Sequence, residues 1–198
     1  MGTRVYGSLA RIADFRDNNY DVCAVPRDQW ATGDYVEGEV IGTPTPLYLI
    51  EDRIGHMVSV EPGDWVVGAF GERAATLEGV GSWRSMGDDG VMHALTGAGL
   101  MGRYTSMSQL LPDALRLRYR GHLRSEGRKV CMRDFAIRSD THAFNVPTVL
   151  LLGTSMSAGK TTTGRRVCKE LDRAGLFVVG AKLSGAGRYR DILSFLKT

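Results

Sequence analysis

Between residues 35 and 137 the chain is a succession of short apolar runs, around Val36, Leu49, Val58, Val66 and Val130, broken by glycine, proline and acidic turn residues. Runs of that length, rich in β-branched and aromatic side chains, predict strands. Glu61-Pro62-Gly63-Asp64 is the clearest turn among them. Glycines at Gly38, Gly42, Gly55, Gly63, Gly68 and Gly71 suit strands that bend sharply, as in a small barrel or a sandwich, and the pattern leaves those two open. The acids Glu51 and Asp52 close an apolar run and read as the edge of a β-hairpin.

The pattern changes after a polar stretch at 138–145. Residues 146–152 are continuously apolar apart from Pro147 and Thr148, which predicts a strand buried on both faces of a parallel sheet. Across 161–174 the residues Val167, Cys168 and Leu171 recur at helical spacing, and Gly175 stands where a helix stops. Residues 176–181 form a second apolar run, so the order strand, loop, helix, strand makes one βαβ unit. The expected fold class is therefore α/β plus β. An N-terminal segment (1–34) precedes a β-rich barrel or sandwich domain (35–137), a linker (138–145) and an incomplete P-loop domain with a parallel sheet (146–198).

Composition narrows the setting. With 43% hydrophobic and 24% charged residues and a net charge of +3 over 198 residues, the chain has the make-up of an ordinary globular protein. No run is long and apolar enough for a membrane span or a signal peptide. Cys23, Cys131 and Cys168 lack the spacing of a metal or redox pair. A cytoplasmic location follows as the expectation, with no membrane partner. The arginines from Arg116 to Arg133 have only Tyr119 interleaved for stacking and read as a solvated strand pair, so no nucleic-acid partner is expected. His56, His93, His122 and His142 show no metal-site spacing and read as surface or hydrogen-bonded core residues. Trp30, Trp65 and Trp83 are expected to fill the β-rich interior. Gly97, Gly99 and Gly102 match a dinucleotide fingerprint in spelling only, because neither a buried strand nor a helix flanks them.

The chemistry gathers between the two apolar runs of 146–181, in Gly153-Thr154-Ser155-Met156-Ser157-Ala158-Gly159-Lys160-Thr161. A triphosphate carries several negative charges. A glycine-rich turn that opens a helix meets them with backbone N–H groups and the positive helix end. Gly153, Thr154, Ser157, Ala158, Gly159, Lys160, Thr161 and Thr162 are the candidate cofactor-binding residues, with ATP and Mg²⁺ as the expected cofactors. Lys160 would reach the β and γ phosphates, and the Thr161 hydroxyl would ligate the metal.

Five residues, Thr154 to Ala158, separate Gly153 from Gly159, one more than the common phosphate loop has. The longer loop resembles that of dethiobiotin synthetase, with its pattern G-T-D-T-x-V-G-K-T, and the C-terminal domain of a P-loop family classed as a domain of unknown function. The likeness spans about residues 146–186. It implies an ATP-dependent small-molecule ligase or phosphotransferase, with Lys182 as a second catalytic cation beside Lys160, and Lys182 and Ser184 facing a small anionic substrate. Where dethiobiotin synthetase has a metal-holding Asp, this chain has Ser155, so metal binding there is built differently. A nucleotide-binding regulatory protein, or a β-barrel binding module without turnover, is the alternative. From Lys160 onward only 39 residues (160 to 198) follow, against the several parallel strands of a P-loop domain. The expectation is thus of a partial chain, or of a homodimer or other partner that completes the site. Arg188, Arg190 and Asp191 are read as a further phosphate or carboxylate contact or as a solvated helix start.

Overall fold

The structure, a computed structural model, describes residues 2–16, 19–45, 48–75, 77–138, 140, 145–154 and 158–196. The chain divides into two compact units. The first comprises Met1–Ala136 with Gly187–Tyr189, and the second Ile137–Ala186 with Arg190–Thr198.

The first unit is strand-rich. Its strands are β1 (Arg4–Tyr6), β2 (Asp21–Cys23), β3 (Tyr35–Val40), β4 (Ile50–Glu51), β5 (Met57–Val58), β6 (Trp65–Phe70), β7 (Glu72–Ala75), β8 (Gly79–Ser82), β9 (Val91–Thr96), β10 (Leu100–Met107), β11 (Arg116–Ser125) and β12 (Arg128–Lys129). Strand β3 lies between β6 and β11, β11 pairs with β9, β9 with β10, and β10 returns to β6. Five strands therefore close on themselves as a small barrel. Four seams are antiparallel, and the fifth, β6 with β10, is parallel through Leu100↔Ala69 and Met101↔Phe70. Closure decides between barrel and sandwich, and it leaves these five strands without an open edge.

The pleat sorts the side chains. Along β3 and β6, Val36, Val40, Val66 and Phe70 belong to one buried cluster, while Tyr35, Val67 and Ala69 belong to another. Alternate residues of a strand face opposite sides; the first cluster fills the barrel and the second lies under the 3₁₀ turn Ser8–Ile12, with Ala10, Ala13 and Phe15. The parallel seam is close. A Cβ at Gly68 would stand 2.1 Å from the Gly99 carbonyl oxygen, so only glycine fits there.

Several expectations hold. Gly63, in the turn before β6, has φ +90°, and Asp64 N–H donates to the Glu61 carbonyl at 3.0 Å. Glu51 lies on the β4–β5 hairpin, although it is buried rather than solvated. Gly97 to Gly99 form the β9–β10 turn, away from any helix. Of the tryptophans, Trp83 is buried and stacked on Phe70 at 5.8 Å, and Trp30 packs half-buried on Phe70 and Tyr119. Trp65 instead carries the Arg4 guanidinium on its ring.

The second unit departs from expectation. Its helix forms as foreseen, α1 at Lys160–Arg173, and among the described residues it is the only helix longer than one or two turns. The flanking runs do not form a βαβ unit. Residues 147–153 and 176–183 have no strand assignment, and Leu152, Phe177 and Val179 are 82%, 96% and 78% exposed. Two short parallel runs cannot bury both faces or pair both edges. Among the described residues no further strand lies beside them. What does pack is small: a Cβ at Gly164 would lie 3.3 Å from both Leu151 and Phe195, and Gly180 faces the Phe195 ring. The short helix α2 spans Tyr189–Leu193.

Candidate functional site

The glycine-rich segment ahead of α1 ends in a turn that the sequence dictates. Gly159 has φ +80° and ψ 4°, a left-handed conformation that disfavours any side chain, and it stands as the N-cap of α1. No side chain caps that end. Thr163 N–H donates to the Gly159 carbonyl at 2.9 Å, closing the first helical turn, and the amides ahead of it face the helix entrance. A partial positive charge of about half a unit accumulates there.

Gly153 closes the other end of the loop. A Cβ on it would fall 2.9 Å from Lys160 Cδ and Cγ and 3.1 Å from Nζ. The Lys160 side chain therefore passes directly over Gly153, and a side chain at Gly153 would require the lysine to move aside. Of the sequence candidates Gly153, Gly159 and Lys160, the structure brings Gly153 and the Lys160 side chain into contact. Thr154, Ala158 and Gly159 are exposed, as is Thr162, while Lys160 and Thr161 are half-buried. Ser157, and the Ser155 that departs from the acid of dethiobiotin synthetase, lie outside the described residues.

Lys182 has a different neighbour from the one expected. Its ammonium forms an ion pair with the Asp191 carboxylate, and Ser194 Oγ donates to the Asp191 carbonyl at 2.6 Å. Ser184 is exposed. Arg188 and Tyr189 belong to the first unit. There, Ser8 Oγ and Arg11 each donate to the Gly187 carbonyl at 2.9 Å, and the Glu51 carboxylate accepts from Tyr189 N–H.

No family model matches this chain. Neither a curated protein nor a solved structure matches it either. The reading of the loop thus rests on its own residues.

The barrel holds a polar cluster that the sequence did not announce. The Asp34 carboxylate, 1% exposed, accepts from Lys129 Nζ and from Ala31 N–H, each at 2.7 Å. His122 Nε2 stands 3.3 Å away in a fully buried position, without hydrogen-bond alignment. On the other side of that ring, His122 Nδ1 and the Tyr119 hydroxyl are 2.6 Å apart. Burial pushes the Asp34 carboxyl up, but His122, Lys129 and the Ala31 N–H together hold it below the ordinary carboxylate value. Burial raises the Tyr119 hydroxyl to about 12, so it stays protonated beside His122 Nδ1. The one legible signal was Tyr119 and His122 standing with apolar Leu117 and Leu123 among the arginines of β11; Asp34 and Lys129 come from distant segments that only the fold assembles.

Proposed function

We propose that the chain binds a nucleoside triphosphate with Mg²⁺ through Gly153, Thr154 and the segment from Ser157 to Thr162, with ATP as the expected nucleotide. The observation that carries this reading is the packing of Lys160 across Gly153 beside an uncapped helix entrance that opens from a left-handed glycine. A lysine held over a glycine and a helix end without a capping side chain both supply positive potential to an anion that approaches the loop. Among the described residues no group of three His, Cys, Asp or Glu gathers for a metal. Mg²⁺ would then be held by the Thr161 hydroxyl, the phosphates and water, which is the sparse ligand set that ion accepts.

The activity proposed on this binding is that of an ATP-dependent small-molecule ligase or phosphotransferase, working by positioning and charge neutralisation at Lys160. The exposed apolar runs on both sides of α1 favour completion of the sheet by further strands, from a second copy or another partner. The alternative is a nucleotide-binding regulator without turnover. The ion pair of Lys182 with Asp191 favours it, because that ammonium is already neutralised.

Titration of the intact protein with a fluorescent ATP analogue and Mg²⁺ tests the first claim. Lys160→Ala should weaken binding about tenfold or more, the worth of one charge-assisted contact. Absence of binding by the wild type at millimolar nucleotide would leave the barrel alone as the functional part. If the wild type binds and both proteins hydrolyse ATP equally slowly, the enzyme reading fails and the regulatory one stands.

A further inference from the structure

A cleft of about 450 Å³ lies on the outer face of the barrel, between residues 41–45 and 107–116. Its floor is set by strand register. Arg116 on β11 and His93 on β9 are direct cross-strand partners, so their side chains share one face, and the neighbour of His93 on the far side is Gly102. Leu117 and Met92, their chain neighbours, point into the barrel core.

Two of the polar side chains in this cleft, His93 and Arg116, present donors. Tyr104 N–H donates to His93 Nδ1 at 3.2 Å, which fixes the neutral ring's proton on Nε2, the remaining polar atom of the ring. Burial, and after it the cations Arg103 and Arg116, keep His93 below its usual range and therefore neutral near pH 7. Arg116 has no carboxylate partner among the described residues. The Thr45 hydroxyl is buried with no hydrogen-bond partner there, a condition that folded proteins rarely leave without a purpose. Ile41, Pro44 and Met107 supply apolar walls. A volume of this size is that of a small-molecule site.

We propose that this cleft binds a small organic monocarboxylate with an apolar body, its carboxylate on the Arg116 guanidinium and the His93 Nε2–H and its body against Ile41, Pro44 and Met107. The planar guanidinium matches a carboxylate in two parallel hydrogen bonds. Asp113 also lines the cleft and repels a dianion such as phosphate more strongly than a monocarboxylate. The proposal does not depend on the phosphate loop, which belongs to the other unit.

The test uses matched acid and amide pairs, benzoate with benzamide and hexanoate with hexanamide, titrated into the full chain and followed by saturation-transfer NMR and calorimetry. The acids should bind about tenfold or more tightly than their amides, the difference one charge-assisted pair makes. Inorganic phosphate should not displace them. Arg116→Gln, at an exposed position where folding is safe, should lose the acid preference, and Thr45→Val should weaken the acids with Arg116 intact. Lys160→Ala should bind them as the wild type does. Equal binding of acids and amides, an unchanged acid preference in Arg116→Gln, or no transfer to any compound would each overturn the proposal.

Discussion

Replacing Lys129 by methionine removes one charge from the buried cluster and keeps the length of the stem. In the wild type the Asp34 carboxylate takes a 2.7 Å bond from that ammonium, while its side chain is 1% exposed and that of Lys129 is 28% exposed. Hydrogen bonds to charged groups contribute about 1.5–3 kcal/mol. Loss of one partner of a fully buried pair costs about 3–5 kcal/mol, but the partly exposed lysine lets water reach the site. A cost of about 2 kcal/mol follows. With a urea slope of about 2 kcal/mol per M, that is a fall of about 1 M in the denaturation midpoint. All three tryptophans, Trp30, Trp65 and Trp83, lie in the barrel unit, so intrinsic fluorescence reports its unfolding. The reasoning is sharpest in a double-mutant cycle with Asp34→Asn. Once the carboxylate is gone, the ammonium has no charge to neutralise, and the double variant should lose about 1–2 kcal/mol less than the sum of the two single ones. Additivity to within about 0.5 kcal/mol would refute the claim that the two charges stabilise each other.

Four further outcomes are expected. Because Asp34 is held below its ordinary value of 3.8, its contribution is present above that pH and lost as pH falls through the lower folded value, so urea midpoints taken across acid pH should drop more for wild type than for Asp34→Asn. His93 is held below 6.5, so the unfolded chain takes up a proton that the folded one refuses. Stability should therefore fall as pH drops from about 7.5 to 5.5, with a shallower fall in His93→Gln, and parallel slopes would refute this. Gly68→Ala places a Cβ 2.1 Å from the Gly99 carbonyl and should cost about 3 kcal/mol or more by parting the β6–β10 seam, read as a lowered midpoint. Gly159→Ala meets no atom within 4 Å but sits at φ +80°, so it should cost about 1–2 kcal/mol in local strain and weaken ATP-analogue binding without altering tryptophan unfolding.

The barrel was legible as strands and not as a closed form. The apolar runs Tyr35-Val36 of β3 and Trp65-Val66-Val67 of β6 are plain in the sequence, because both faces of each strand are buried. Closure depends on a contact of two backbones, Gly68 against Gly99, and a pair of glycines so far apart in sequence carries no local signature. Strands β1 and β2 had no clear pattern because each is three residues long, too short for a period to show. The same holds for the two charge assemblies. Arg116 and His93 are joined by register, and Asp34 and Lys129 by a long excursion of the chain, so composition announced arginines and acids without saying which would be neutralised and which would face an open cleft.

The apolar runs at 146–152 and 176–181 were misread for the opposite reason. Their local signal for burial is strong, but burial is not a local property. A parallel strand forms only when neighbours pair its N–H and C=O groups and helices cover both faces. Here α1 buries little more than Gly164, which faces Leu151 and Phe195, and the runs on either side stay exposed. The described ends of the segment between them, at Gly153 and Gly159, nevertheless keep their form, because their determinants are local. The positive φ of Gly159 starts the helix and the bare Cα of Gly153 admits Lys160, and neither demands a finished sheet. The proposed phosphate affinity therefore does not require a finished sheet. A partner that pairs the exposed runs should fix the loop's two ends relative to each other, tightening nucleotide binding by lowering the ordering entropy that binding must overcome.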